Sequence, residues 1–328
     1  MPAAPAEARW WLPVAGAGEL AAAAPLAVRV LGQDLVLWRD GAGGVHAFDD
    51  RCPHRGARLS LGRIVGDALQ CAYHGWCFDG AGRCTRVPAL PGFVPPAGHV
   101  VGAWQVAEAH GLLWVAREPP APAPPMLAGV PARRVDCGDY VVGTSAPRVV
   151  ENFLDTSHFA FVHEGWLGDA GHAEVPDYRV EPTADGRPQV LHYRAWQPRA
   201  AAAARGGAWV DYRYEVLGPY AALLVKQPAA GPDDPALAVS DAYAVFACPL
   251  DDERTRVWFV QFTSDEATPQ AELQAFQDAI FGQDRPVLES QRPRRLPLAG
   301  GELHSAADRL SAAYRRWLQQ QGVSFGTC

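Results

Sequence analysis

Cys52-Pro-His54, then sixteen intervening residues, then Cys71-Ala-Tyr-His74-Gly-Trp76 is the stretch that decides the fold. Each half offers one thiolate and one imidazole from a tight loop, so two loops held side by side can clamp a metal group from opposite sides. Two chemistries use such a set. A structural zinc ion takes two Cys and two His in a tetrahedron. A [2Fe–2S] cluster can instead sit with two Cys on one iron and two His on the other, which raises its reduction potential because neutral imidazoles replace anionic thiolates. The Cys-x-His half is unusual for zinc. Cys77 and Cys84 lie nearby but are read as non-ligands, because four ligands are already supplied. Cys137, Cys248 and Cys328 have no partner at metal spacing.

Around this stretch the chain reads as two domains, the natural prior at 328 residues. A hydrophobic fraction of 48% with 20% charged residues suits a buried core of ordinary size. A net charge of -7 argues against general nucleic-acid binding. No apolar run is long enough for a membrane span, and the start MPAAPAEARWWLPVAG lacks the features of a secretion signal. With seven cysteines, an odd number, these features point to a reducing cytoplasm where clustered Cys and His bind metal.

Short β-rich runs punctuated by Gly and Asp fill the first third: Leu26–Leu31, Leu35–Trp38, Val45–Phe48 and Gly111–Val115. This is an all-β domain over 1–118, interrupted by the Cys/His loops. A proline-rich segment follows, and residues 119–131 are expected to act as a semi-rigid linker. The second domain, 132–328, is expected to be α+β. Val149 to Val162 has helical character, Trp209–Val225 and Ala242–Thr263 read as antiparallel strands, and two helices close the chain. In the last helix, Leu310, Tyr314, Trp317 and Leu318 recur at helical spacing as one buried stripe. There is no internal repeat.

The second chemical motif is Glu151-Asn152-Phe-Leu-Asp155-Thr-Ser-His158-Phe-Ala-Phe-Val-His163. On a helix, Asn152, Asp155 and His158 share a face, and a helix end or bulge can bring His163 to the same side. Two His and a remote carboxylate make the facial triad of oxygen-activating Fe(II) enzymes, which leaves positions open for O2 and substrate. Candidates for that carboxylate lie toward the C-terminus: Asp308, with Glu302 and His304 competing, and Glu289 and Asp284 as weaker alternatives.

Cys-x-His…Cys-x-x-His, with Pro53 and the His74-Gly75-Trp76 continuation, closely resembles the Rieske family. Asn-x-x-Asp-x-x-His-x4-His over 152–163 is similar to the signature of the aromatic ring-hydroxylating oxygenase α subunits. The resemblance covers the first domain, the Asn152–His163 segment and the C-terminal helix, and is generic between about Val175 and Thr263. It implies a Rieske non-haem iron oxygenase whose helix-grip-like catalytic domain packs an antiparallel sheet with flanking helices. Cys52 and Cys71 would bind one cluster iron, and His54 and His74 the other. His158, His163 and Asp308 would bind a mononuclear Fe(II), with Asn152 beside it. Asp155 would link an iron-bound His to a cluster His of the neighbouring subunit.

The implied function is that of a terminal oxygenase close to the vanillate and dicamba O-demethylase-like homotrimeric monooxygenases. It would use O2 and two electrons for O- or N-demethylation, or hydroxylation, of a small aromatic or heterocyclic compound. Ring cis-dihydroxylation is the close alternative, and a Rieske electron-transfer protein the alternative of a different class. No Gly-rich nucleotide fingerprint is present, so NAD(P)H would act only through a separate flavin/iron-sulfur reductase or ferredoxin. Arg55, Arg58 and Arg63 could attract its acidic surface, or simply pair with local Asp residues.

Overall fold

The computed structural model describes residues 5–118, 123–199, 207–228 and 240–328. It divides into two compact units, Met1–Pro124 and Pro125–Cys328. Of the expected linker over 119–131, residues 119–122 lie outside the described residues.

The first unit is all β. Its strands are β1 (Leu12–Gly16), β2 (Leu26–Val30), β3 (Gln33–Arg39), β4 (Val45–Asp49), β5 (Arg63–Val65), β6 (Ala68–Gln70), β7 (Cys77–Phe78), β8 (Cys84–Arg86), β9 (Ala103–Ala109) and β10 (Leu112–Ala116). They form a six-stranded sheet, β1-β10-β9-β4-β3-β2, and a four-stranded one, β5-β6-β7-β8. Two hairpins turn through Leu31-Gly32 and His110-Gly111, with both residues of each pair at positive φ. That is the type I′ geometry, whose twist matches the flanking strands. The small sheet is inserted between β4 and β9, and its job is to carry the Cys/His loops.

The second unit is α+β, as expected from its strand and helix patterning. Its strands are β11 (Arg133–Val142), β12 (Glu181–Pro182), β13 (Pro188–Gln197), β14 (Ala208–Gly218), β15 (Ala221–Pro228), β16 (Asp241–Asp251) and β17 (Arg254–Thr263). They form one antiparallel sheet in the order β11-β17-β16-β15-β14-β13-β12. Ala208, Val210, Tyr212 and Tyr214 of β14 are buried in strict alternation, the period of a pleated strand. Buried residues run without interruption along most of β16, the pattern of a strand covered on both faces. The helices are α1 (Ala146–Leu154), α2 (Phe159–Val162), α3 (Gln270–Ser290) and α4 (Arg309–Gln320); α1 packs on β15, β16 and β17, α3 on β11 and α4 on β13. Leu310, Tyr314, Trp317 and Leu318 form the buried stripe of α4. Among the described residues no helix is long and apolar enough to cross a membrane.

Candidate metal centres

The two Cys/His loops are closed in the same way. Cys52 N donates to the Ala57 carbonyl at 2.8 Å and Gly56 N to the Cys52 carbonyl at 2.9 Å; Cys71 N donates to Trp76 at 2.8 Å and Gly75 N to Cys71 at 3.0 Å. The fifth residue of each loop is a glycine in the left-handed region, φ 75° at Gly56 and 71° at Gly75, where a side chain would be strained. Cys52 and Cys71 are buried in a core that includes Trp38, Phe48, Leu69, Phe78 and Val101. On the outer side the rings of His54 and His74 lie 4.5 Å apart, and Trp76 stacks flat on His54 at 4.5 Å.

These residues ask for a bound group. His54 Nδ1 is buried without a hydrogen-bond partner. Burial pushes the Cys52 thiol up to about 11, and the neighbouring Cys71 adds to the rise. Such a set is costly until a metal takes its lone pairs. Its layout separates the two chemistries. Four ligands of a single zinc ion would stand about 3.3–3.8 Å apart, given bonds of about 2.0–2.3 Å. Among the described residues, however, no three ligand atoms of this quartet lie within 4.8 Å of one another. Paired thiols inside and paired imidazoles outside suit two irons. Cys77 Sγ is directed to the Gly75 carbonyl and Cys84 Sγ to that of Arg86, so both serve the packing. Of the surface arginines, Arg58 pairs with Asp34 at 2.9 Å and Arg63 hydrogen-bonds Gln70 at 2.8 Å, while Arg55 is exposed.

The second centre is built where a helix stops. Asn152, Asp155 and His158 were expected on one helical face, but α1 ends at Leu154 and Asp155 is extended. The Asp155 carboxylate accepts from Ser157 N at 2.7 Å and from Ser157 Oγ at 2.6 Å. That local side-chain turn competes with helix continuation. The chain then makes one helical turn, α2, with His158 at its start and His163 at its end. Residues five apart in sequence thereby face each other, with Nε2 atoms 3.2 Å apart.

Asp284 completes the group: its Oδ1 lies 3.5 Å from His158 Nε2 and 3.2 Å from His163 Nε2. Separations of this size are those of ligand atoms sharing one ion at bonds of about 2.1 Å. This corrects the expectation of Asp308. That carboxylate accepts from Ser305 N and Oγ at 2.6 and 2.9 Å and caps the single turn before α4. Glu302 is engaged by Arg148 and Arg315, each at 2.6 Å, and His304 is exposed. Position within α3 marks Asp284 out. Leu273, Phe276, Gln277, Ile280, Phe281 and Leu288 form the buried stripe of that helix, and Asp284 falls on it. A carboxylate at a core position of an amphipathic helix is the signal that spacing alone did not reveal.

Further contacts orient these groups. Asn152 Nδ2 donates to Asp284 Oδ1 at 3.3 Å. Asp155 Oδ2 lies 3.3 Å from His158 Nδ1, and Gln283 Oε1 lies 2.8 Å from His163 Nδ1. Each acceptor favours the tautomer that frees Nε2 for a metal. Gln283 escaped the reading of the sequence. Burial pulls the Asp155 carboxyl upward, but hydrogen bonds from His158 and Ser157 hold it below the ordinary range.

The His158/His163/Asp284 group lines a cavity that opens to the surface. Its walls are chiefly apolar and aromatic, with Phe153, Phe159, Tyr212, Tyr243, Phe259 and Phe276 among them. Beyond the metal group few polar side chains interrupt them: the half-buried Asn152 and the buried Gln197, Lys226 and Gln277.

Two family models match the chain. Residues 10–101 match the Rieske [2Fe-2S] domain, and residues 142–322 match the vanillate O-demethylase oxygenase C-terminal domain. The chain belongs to the Rieske non-haem iron oxygenases. It is the oxygenase component of a multi-component system, a demethylase-type oxidoreductase with a [2Fe–2S] cluster and a non-haem iron, using O2 and electrons from a separate reductase. It is 32% identical to methylxanthine N1-demethylase NdmA of Pseudomonas putida over 324 residues, covering 95% of this chain and 88% of that one. Methylxanthine N3-demethylase NdmB of the same organism is 31% identical, with 96% and 89% covered. The solved structure of a Pseudomonas putida NdmA mutant with caffeine superposes with a TM-score of 0.81 at 30% identity, covering 96% of this chain and 90% of that one.

Proposed function

We propose that the enzyme oxidatively demethylates a planar aromatic or heteroaromatic compound, with His158, His163 and Asp284 holding the iron and Cys52, Cys71, His54 and His74 the cluster. One observation carries this reading: three ligand atoms converge at 3.2–3.5 Å on an aromatic-lined cavity. A pure electron carrier needs neither feature. When bound, a non-haem iron with open positions supplies O2 activation.

The chain's own residues prepare the site. Asp155 and Gln283 fix the two imidazoles, and Asn152 holds the Asp284 carboxylate. The aromatic walls favour a flat ring and exclude water, which limits wasteful release of reduced oxygen. The balance is substrate methyl, O2, two electrons and two protons in; demethylated substrate, formaldehyde and water out. Insertion of oxygen at the methyl carbon gives a hemiaminal or hemiacetal that breaks its own C–N or C–O bond.

The electrons come from outside the chain, and the exposed His74 and Arg55 offer a surface for an acidic reductase or ferredoxin. We read the working assembly as a cytoplasmic homotrimer, a closed head-to-tail ring, in which Asp155 couples one subunit's His158 to the next subunit's cluster. The test is formaldehyde per O2 consumed, using reconstituted enzyme, a reductase, and a panel of N-methyl heterocycles and O-methyl aromatics. Equimolar formaldehyde is expected. O2 uptake with a cis-diol and no formaldehyde would mean ring dihydroxylation instead.

A further inference from the structure

Of the 29 lysine and arginine residues, Lys226 is the only lysine. The chain meets every other need for a cation with arginine, including the buried ion pairs of Arg148 and Arg315. Its single ammonium stands on β15, 4% exposed, lining the cavity of the His158/His163/Asp284 group. There Nζ lies 5.4 Å from the centroid of the Tyr243 ring.

Among the described residues Lys226 makes no hydrogen bond and no ion pair within 4 Å. The nearest claim on its charge is Asp241, its register partner on β16. Asp241 is itself buried and accepts from Gln261 Nε2 at 3.2 Å. Burial lowers the Lys226 pKa and Asp241 opposes that only in part, so the ammonium is under-compensated. Two more polar atoms of the same cavity residues, Gln197 Oε1 and Tyr212 OH, are buried without partners. A cavity that leaves a cation and two polar atoms unanswered is complementary to a ligand that answers them.

We propose that Lys226 receives an anionic oxygen of the substrate, a carboxylate or an ionised ring hydroxyl, and so sets which methyl group faces the iron. The proposal rests on the demethylase reading and narrows it to acidic methylated aromatics or heteroaromatics. An anion leaving water for aromatic walls needs a cation.

The experiment compares matched pairs: 3- and 4-methoxybenzoate, 2-methoxy-4-nitrophenolate (whose nitro group lets the phenol ionise near neutral pH) and N-methylpyrrole-2-carboxylate against the methyl esters of the acids and the methyl ether of the phenol. Binding to anaerobic holoenzyme is measured by calorimetry, for the wild type and for Lys226→Met. At least one anion is expected to bind about tenfold or more tightly than its neutral partner, with the preference lost in Lys226→Met. The carboxylate and phenolate arms then tell which oxygen is read. Iron and sulfide content should be unchanged in the variant, and Lys226→Gln carries the same comparison should Met impair folding. Anions that bind no tighter than their neutral partners, or a preference that survives the substitution, would overturn the proposal. So would restored anion binding in Lys226→Met/Asp241→Asn, because Lys226 would then serve only to neutralise Asp241. An acid that binds tightly through Lys226 but releases no formaldehyde would keep this role and overturn the demethylase reading instead.

Discussion

Asp284 Oδ1 stands 3.2 Å from His163 Nε2 and accepts a hydrogen bond from Asn152 at 3.3 Å, so one oxygen of α3 ties together the end of α1 and the end of α2. Asp284→Ala removes the only carboxylate of the group. It should lower iron from about three to about two per chain and leave about two labile sulfides, while Asp308→Asn keeps all three irons. Metal and sulfide analysis with an EPR spectrum after reduction reads both variants. Loss of iron in Asp308→Asn alone would reverse the assignment.

Gln283→Leu leaves every ligand in place but removes the acceptor at His163 Nδ1. Iron affinity should fall by about 10–100-fold, the usual cost of losing such an orienting contact. Titration of apo-protein with Fe(II) under anaerobic conditions gives the number, and an unchanged affinity would leave Gln283 without this role.

Asp155→Asn keeps an oxygen near His158 Nδ1 and removes the charge. Because the carboxyl is held below its ordinary range, it is ionised at neutral pH. The variant should retain its mononuclear iron and lose about tenfold or more of its turnover. Full coupled activity would show that the bridge is dispensable.

Glu302 predicts a pH signature. Burial raises its pKa, but hydrogen bonds from Arg148 and Arg315 outweigh that and hold it below the ordinary value. A depressed acid stabilises the fold above its unfolded value of about 4.3, and the contribution is lost as pH falls through the lower folded value. Glu302→Gln should therefore cost about 2 kcal/mol at pH 7, leaving two arginines short of a charge. The difference should shrink as the medium is acidified below pH ~4. Urea unfolding of both proteins across that range measures it.

Gly75→Ala should harm the cluster more than Gly56→Ala. Both need a left-handed backbone, a cost of about 1 kcal/mol for alanine. At Gly75 the new Cβ also meets Pro88 Cγ at 3.0 Å, whereas at Gly56 it meets only the flexible Arg51 side chain at 3.5 Å. Labile sulfide retained after mild heating is the readout.

Local features were legible in the sequence and long-range ones were not. Cys52, His54, Cys71 and His74 sit in two short loops, so spacing alone exposes them. The stripe of α4 and most strands follow from periodicity. The break at Asp155 depends on a side chain bonding two residues ahead, which helical patterning reads straight through. Asp284 belongs to a tertiary meeting of α2 and α3, and only its place on a buried stripe betrays it. The family resemblance points to Asp308, but that carboxylate is spent on the cap of the turn before α4.

A protein with one lysine is also an unusual object for the bench. Apart from the amino terminus, every amine-directed reagent, fluorophore or crosslinker has a single target, Lys226 in the cavity wall. Isotope-labelled lysine would place one resonance in the whole spectrum, and it would report on the cavity. The same burial is a filter: at 4% exposure Lys226 is reached only by a reagent small enough to enter the cavity.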